Sequence, residues 1–590
     1  MTNKRKIPFL FVAASFIIIG IGFLFKSFTI PSDKIYDKTS EENKSGRPGM
    51  EETFFKDWHY PYPANLEKDM LDKMWKEVLS LPQEKKTSDN GEQWTSIGPY
   101  GNELNGHTNV KFSGRVRDIY VDTTGKVLAA AATGGLWSLM DTTLSPLSEE
   151  VTSLSSGAFD VMPGNPDIIL LGTGEPYKRA GTGLWRTVNG GVNWDRISMA
   201  GTYPSSFFRI EFSSQNVVHA AAIDGYYRSD NAGLTWIRHL SGQISDVAVN
   251  PQNTNILYCG FWDNGSGLGG LYKSEDGGNN WTRLSDLPTS NVGRVFVSIC
   301  KESPGNIYVS MNNDGDDTFH GLYHSSNDGA NWSSVGPSSD VMDGTGWYFG
   351  SLGVSPTNPS IVLLGGLWLW RTTNSGVNWT MIDDNANINI HADQHAIAWS
   401  KDGTTAYIGH DGGVTVSTDQ GETFNTLKNT FPITQYYNFD VGTSNPNVVF
   451  GGCQDNGITG TTDGGVTWKY IYPGAGDGSC VAINPVDASI LYGTLGYFGG
   501  SWAYRRMRTT NFGQSWDFIN TGLPSSSEDF PKVRTDGTNS GNVYANVLTH
   551  IYHSSDNGNS WAQVNASAFA HNVINFSVKN YNDTAYVYSS

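Results

Sequence analysis

The chain reads as an all-β protein, a β-propeller of four-stranded blades. Three observations predict it. A short turn sequence recurs about every 45 residues, the length of one four-stranded blade. Each period holds short β-rich runs separated by Gly, Asn and Asp turns. Glycine is abundant, 68 in 590 residues, without a triplet period.

The recurring turn is clearest at Ser274-Glu275-Asp276-Gly277-Gly278-Asn279-Asn280-Trp281. It returns at Thr461-Thr462-Asp463-Gly464-Gly465-Val466-Thr467-Trp468 and at Ser417-Thr418-Asp419-Gln420-Gly421-Glu422-Thr423-Phe424. The Asp side chain can accept N–H bonds within its own turn. The Gly supplies positive φ without steric cost. The closing aromatic starts the outgoing strand and can wedge into a neighbouring unit. Closers fall at Trp194, Trp236, Trp281, Trp332, Trp379, Phe424, Trp468, Trp516 and Trp561. First strands are expected at 116–121, 158–162, 207–212, 244–249, 295–299, 348–354, 391–399, 436–441, 479–483, 530–533 and 573–578.

Ahead of the repeats, Lys4-Arg5-Lys6 precedes an apolar run over 7–25 that ends at Lys26. A basic flank and an apolar segment of this length give a signal peptide or signal anchor over 1–26, which directs the remainder out of the cytoplasm. Residues 27–64 read as a linker. Residues 65–90 hold an amphipathic helix and connector, with Leu66, Met70, Leu71, Met74, Trp75, Val78 and Leu79 at helical spacing. A first propeller of about seven blades is expected over 91–430. Further blades of an incomplete second propeller follow over 431–590. One large ring of about ten blades is the alternative.

The net charge of −18 argues against a nucleic-acid partner. Cys259, Cys300, Cys453 and Cys480 lie in strand-like runs without metal-ligand spacing, and are expected as buried small apolar residues.

The repeated turn resembles the Asp-box, or bacterial neuraminidase repeat, of β-propeller proteins. Gly172-Thr173-Gly174-Glu175, His410-Asp411-Gly412-Gly413 and Gln454-Asp455-Asn456-Gly457 are similar to the sortilin-like and xyloglucanase-like branches. The resemblance implies that the boxes sit at the blade periphery and that Asp276, Asp419, Asp463 and Asp556 close turns. It also implies that ligands meet the opposite face. In xyloglucanases one catalytic Asp precedes a Gly-Gly in the first blade. The matching stretch is Ala132-Thr133-Gly134-Gly135, which holds no Asp. The second catalytic Asp has its counterpart in Asp477.

Glycoside hydrolysis requires two carboxyl groups, one as acid and one as base or nucleophile. Asp477 and Asp455 are the catalytic candidates. Glu175, Asp411 and Asp455 each follow a blade's second strand, so they can converge on one face with Arg115 and Asp477 as a ligand site. His391, Asp393 and His395 alternate along an expected strand and would share a face, a set able to hold a divalent metal. The plain alternative is a hydrogen-bonded polar cluster, with no cofactor. The missing first-blade Asp leads to an expectation of binding: an exported, membrane-tethered propeller taking a protein or glycan ligand. A xyloglucanase-like hydrolase is the alternative.

Overall fold

The computed structural model describes residues 96–590, apart from 105–106, 264, 384–388, 428–429, 472–475, 497–505, 526–530, 565, 582–583 and 590. The expected signal segment, linker and amphipathic helix lie outside the described residues. Among the described residues, no helix is long and apolar enough to cross a membrane.

The fold is all-β and built of four-stranded antiparallel sheets, each running from an inner first strand to an outer fourth. Seven such blades follow in sequence over 116–146, 156–197, 207–241, 244–283, 295–334, 351–382 and 394–426, numbered 1 to 7. The inner strand of blade 7, Gln394–Trp399, packs against that of blade 1, Val116–Val121, so the ring closes. Val116, Ala129 and Ala131 form one core there with Ala396, Val414, Phe431 and Ile433. Blades 8, 9 and 10 cover 436–470, 478–518 and 533–563, and a two-stranded hairpin over 576–589 packs on blade 10.

Burial explains the strand patterns. A second strand faces neighbouring blades on both sides. Val127–Ala131, Leu257–Phe261 and Val543–Val547 are accordingly buried along their whole length and read as unbroken apolar runs. The outer strands are short and largely exposed, as at Thr282–Arg283. All four cysteines are buried and unpaired.

The recurring turn is the hairpin between third and fourth strands. In blade 4 the Ser274 hydroxyl donates to Asp276 Oδ1 at 2.9 Å and accepts the Gly278 N–H at 2.8 Å. The Asn280 N–H donates to Asp276 Oδ1 at 2.9 Å. Thr461, Asp463, Gly465 and Thr467 repeat this pattern in blade 8. These donors hold the carboxylates of Asp276, Asp463 and Asp556 down at about 2. Some closing tryptophans reach the preceding blade: Trp194 Nε1 donates to the Leu147 carbonyl, Trp379 to Val335 and Trp561 to Ile519, whereas Trp236, Trp281 and Trp332 donate to a glycine carbonyl of their own turn.

A second repeated device links the inner strands. Asp118 accepts the N–H of Ile119 in its own strand and that of Phe159 in blade 2. Asp160 does the same with Val161 and Phe212, Asp246 with Val247 and Val297, and Asp440 with Val441 and Ile483. Each carboxylate therefore clasps two consecutive blade positions at the channel wall.

Two findings modify the sequence expectations. Asn102–Leu104 falls in the span assigned to the first propeller, yet it pairs in parallel with Lys469–Tyr470 at the outer edge of blade 8. Its hairpin partner, His107–Phe112, runs beside blade 7, where the Lys111 N–H donates to Thr426 Oγ1 at 3.0 Å. This hairpin ties the first ring to the following blades. The strand expected over 391–399 begins only at Gln394. Asp393 has φ of +64°, a left-handed conformation that interrupts an extended run.

Candidate active site

The candidate site forms where blades 1, 2 and 7 meet blade 8. The ends of second strands place three acids there. Glu175 lies two residues beyond Ile169–Thr173, Asp411 follows Ala406–His410, and Asp455 lies two residues beyond Val449–Cys453. Arg115 enters from the other direction, one residue ahead of the blade 1 inner strand.

Arg115 is fully buried and joins all three. Its Nη1 donates to both Glu175 oxygens at 3.0 and 3.1 Å, its Nε to Asp411 Oδ1 at 3.0 Å, and its Nη2 to Asp455 Oδ2 at 3.3 Å. Burial alone would lower the Arg115 pKa, but Asp411 and Glu175 raise it well above the ordinary value. The reciprocal effect operates on the acids. Burial favours their neutral forms, but Arg115 and Arg117 hold Glu175 below the usual carboxylate range, and Arg115 and His395 hold Asp411 well below it.

Asp411 is saturated with donors. Besides Arg115, it accepts the Tyr348 hydroxyl on Oδ2 and His395 Nε2 on Oδ1 at 2.6 Å. The His395 tautomer follows from its other partner. Arg117 Nη1 can only donate, so His395 Nδ1 accepts and the ring proton sits on Nε2. Burial lowers His395 to about 4 despite the charge of Asp411, so the ring is neutral at ordinary pH.

Asp455 is the other half of a carboxyl pair with Asp411 and hydrogen-bonds to it. Burial, then the charges of Asp411 and Asp477, raise Asp455 well above the usual range. Because Asp411 already receives three donors, the shared proton resides on Asp455. The Asp455 side chain keeps 26% exposure, whereas Asp411 has none. The pair therefore presents a neutral acid toward solvent and keeps its anion inside.

Asp477 stands at the start of blade 9, bridged to Gly457. Its Oδ1 accepts the Asp455 N–H at 2.9 Å and the Tyr437 hydroxyl at 3.3 Å. It is half-buried and adjoins the Arg115 network through Asp455. Thr133 occupies in blade 1 the position of Glu175 in blade 2 and Asp455 in blade 8. Its hydroxyl accepts Gln435 Nε2 at 2.7 Å.

The metal set expected from sequence, His391, Asp393 and His395, does not assemble. Asp393 breaks the strand, so alternation fails. His391 turns toward the Asp455 carbonyl at 3.3 Å and stacks on His410, while His395 serves Asp411. Carboxylate oxygens of Asp393, Asp411 and Asp455 instead lie within 4.8 Å of one another. Arg115 already bonds Asp411 and Asp455 in that group, so the donor set fits a guanidinium and does not fit a divalent metal.

Tyr348 was not among the site candidates of the sequence. It opens the first strand expected over 348–354, but the observed blade 6 inner strand begins at Ser351, and the ring brings the Tyr348 hydroxyl to Asp411. Lys178 is similar: its ammonium lies 5.1 Å from the Trp347 ring and 4.4 Å from that of Tyr348.

No family model matches the chain. It is 24% identical over 216 residues to a xyloglucanase of Paenibacillus sp, covering 35% of this chain and 19% of the relative. It is 25% identical over 281 residues to a xyloglucanase of Hypocrea jecorina, covering 44% and 29%. It is 27% identical over 222 residues to the oligoxyloglucan-reducing end-specific xyloglucanase of Emericella nidulans, covering 33% and 25%. The matched part thus spans less than a third of each relative. Among solved structures, the Niastella koreensis GH74 enzyme superposes with a TM-score of 0.61 at 15% identity, covering 80% of this chain and 75% of that one. An ancestral GH74 enzyme superposes with a TM-score of 0.62 at 17% identity, covering 81% and 74%. The expectation of a non-catalytic binding propeller is corrected by these curated relatives, which are hydrolases. The chain is a β-propeller protein similar in sequence to xyloglucanases and in fold to GH74 structures.

Proposed function

We propose that the chain is an exported glycoside hydrolase of the Asp-box propeller type, acting on xyloglucan-like β-glucans with Asp455 as general acid. The observation that carries this reading is the Asp411–Asp455 pair: a protonated carboxyl, 26% exposed, beside a fully buried carboxylate at the junction of the first ring and blade 8. A general acid must hold its proton at working pH and reach the leaving oxygen. Asp455 meets both needs. Once the proton has gone, Arg115 Nη2 at 3.3 Å stabilises the carboxylate that remains.

Asp477 is the second carboxylate of the proposed pair. It is half-buried, and its charge helps keep the proton on Asp455. Glu175 and Asp411 are buried and occupied by Arg115, so their role is electrostatic. The similarity to xyloglucanases supports the substrate class, and Thr133 marks where this chain departs from the two-Asp pattern.

The test is reducing-sugar release from xyloglucan and a panel of β-glucans. Asp455→Asn is expected to lower kcat by about 10²–10⁴-fold with an unchanged circular dichroism spectrum, and Asp477→Asn by a comparable factor. Wild-type turnover surviving intact in Asp455→Asn, or no release from any β-glucan by the wild type, overturns the assignment.

A further inference from the structure

Among the described residues, two buried arginines of the first ring form no salt bridge. Arg117 lies in the inner strand of blade 1 and is 7% exposed. Arg294 stands one residue ahead of the inner strand of blade 5 and is 4% exposed. Their Nη1 atoms converge on the Tyr348 carbonyl, at 3.2 and 3.4 Å, and Arg294 also reaches the Phe349 carbonyl at 3.4 Å. The other partner of Arg117 is the neutral ring of His395. Arg294 is framed by the rings of Phe296, Phe208 and Trp262, with its guanidinium carbon 4.5, 5.5 and 5.9 Å from their centres. The Nε of each arginine is buried and has no hydrogen-bond partner.

The neighbouring acids are committed elsewhere. Both Glu175 oxygens accept Arg115, and Asp246 accepts the N–H groups of Val247 and Val297. Among the described residues, neither Arg117 nor Arg294 has a carboxylate within 4.0 Å. The carboxylates nearest to the two arginines act at a distance: Asp246 is felt by Arg294, and Glu175 and Asp411 by Arg117, with no salt bridge to either. Burial, then the adjacent Arg117, push Arg294 down to about 9. Two adjacent buried like charges without a direct ion-pair partner are costly.

We propose that the mouth of the first ring binds one halide-sized anion, chloride in ordinary buffers, between the guanidinium groups of Arg117 and Arg294. The lining selects the class. It offers N–H donors from two arginines and otherwise aromatic faces and carbonyl oxygens. An oxyanion would leave oxygens without donors in such a setting, whereas a monatomic anion carries no such requirement. The bound anion would offset the repulsion between the two guanidinium groups and fix the Tyr348 segment, whose hydroxyl serves Asp411.

Bromide is the probe. Crystals of the protein soaked in sodium bromide are expected to show an anomalous peak between Arg117 and Arg294. In solution, the full chain is expected to melt roughly 2 °C or more higher in sodium chloride or bromide than in sodium isethionate of equal ionic strength. Arg294→Gln is expected to abolish that difference. An absent peak at this position, or wild-type melting equal in the three salts, overturns the proposal. Both readouts use the wild type, so they decide even if the variant fails to fold.

Discussion

Replacing Arg115 by Met tests the electrostatic hub of the molecule. The side chain is fully buried and makes four charge-assisted hydrogen bonds of 3.0 to 3.3 Å to Glu175, Asp411 and Asp455. Met fills much of the same volume, so packing changes little while two buried carboxylates lose their cation. Removing one partner of a buried ion pair costs about 3–5 kcal/mol. For a chain of this size that lowers Tm by roughly 2–5 °C. The pH dependence separates this account from a packing defect. Glu175 and Asp411 have folded pKa values below the ordinary carboxylate value, so their contribution is present above that value and is lost as pH falls through the folded values. In Arg115→Met burial is no longer opposed by that guanidinium and favours the neutral acids. The gap in Tm between wild type and variant is therefore expected to be widest near neutrality and to close on acidification. Arg115→Lys, which keeps the charge and loses the fork, is expected to fall between them. Thermal melts followed by circular dichroism across the acid range provide the measurement. A gap that persists unchanged into acid, or no gap near neutrality, refutes the reasoning.

The carboxyl pair makes a kinetic prediction. Asp411→Asn removes the charge that helps hold the proton on Asp455, so the alkaline limb of the kcat/KM profile on xyloglucan should move to lower pH. The third-to-fourth-strand turns predict acid sensitivity. Asp276, Asp463 and Asp556 fall from the ordinary value to about 2, so the stability they contribute is present above the ordinary value and lost as pH drops through about 2. An Asp276→Asn, Asp463→Asn, Asp556→Asn triple variant should show a shallower fall of Tm in that window. Gly278→Ala should lower Tm in blade 4. Gly278 has φ of +88°, and a Cβ would stand 2.0 Å from the Tyr226 hydroxyl; a cost of about 1–3 kcal/mol follows from backbone strain and overpacking.

The sequence by itself determined the blade architecture. Its signals are local: a turn needing Asp and positive-φ Gly, an aromatic closer, and apolar second strands buried on both faces. The inner strands at 116–121, 207–212, 244–249, 295–299 and 436–441 match the observed bounds because each is a continuous run between turn residues. Arg115, Glu175, Asp411 and Asp455 were also legible as a group, since equivalent positions on successive blades converge. Tertiary structure decided the rest. The metal reading of His391, Asp393 and His395 assumed an extended strand, but the left-handed Asp393 interrupts it and the two histidines take separate partners. Asn102–Leu104 carries no signal for pairing with Lys469–Tyr470, a contact between segments far apart in the chain. Tyr348 and Arg294 sit ahead of their inner strands, outside the repeated turn, and acquire their partners only when the ring closes. Above all, the proton on Asp455 is a property of neither acid alone. It arises because ring closure and the placement of blade 8 bring two carboxyl groups together around Arg115, where burial lets only one of them ionise.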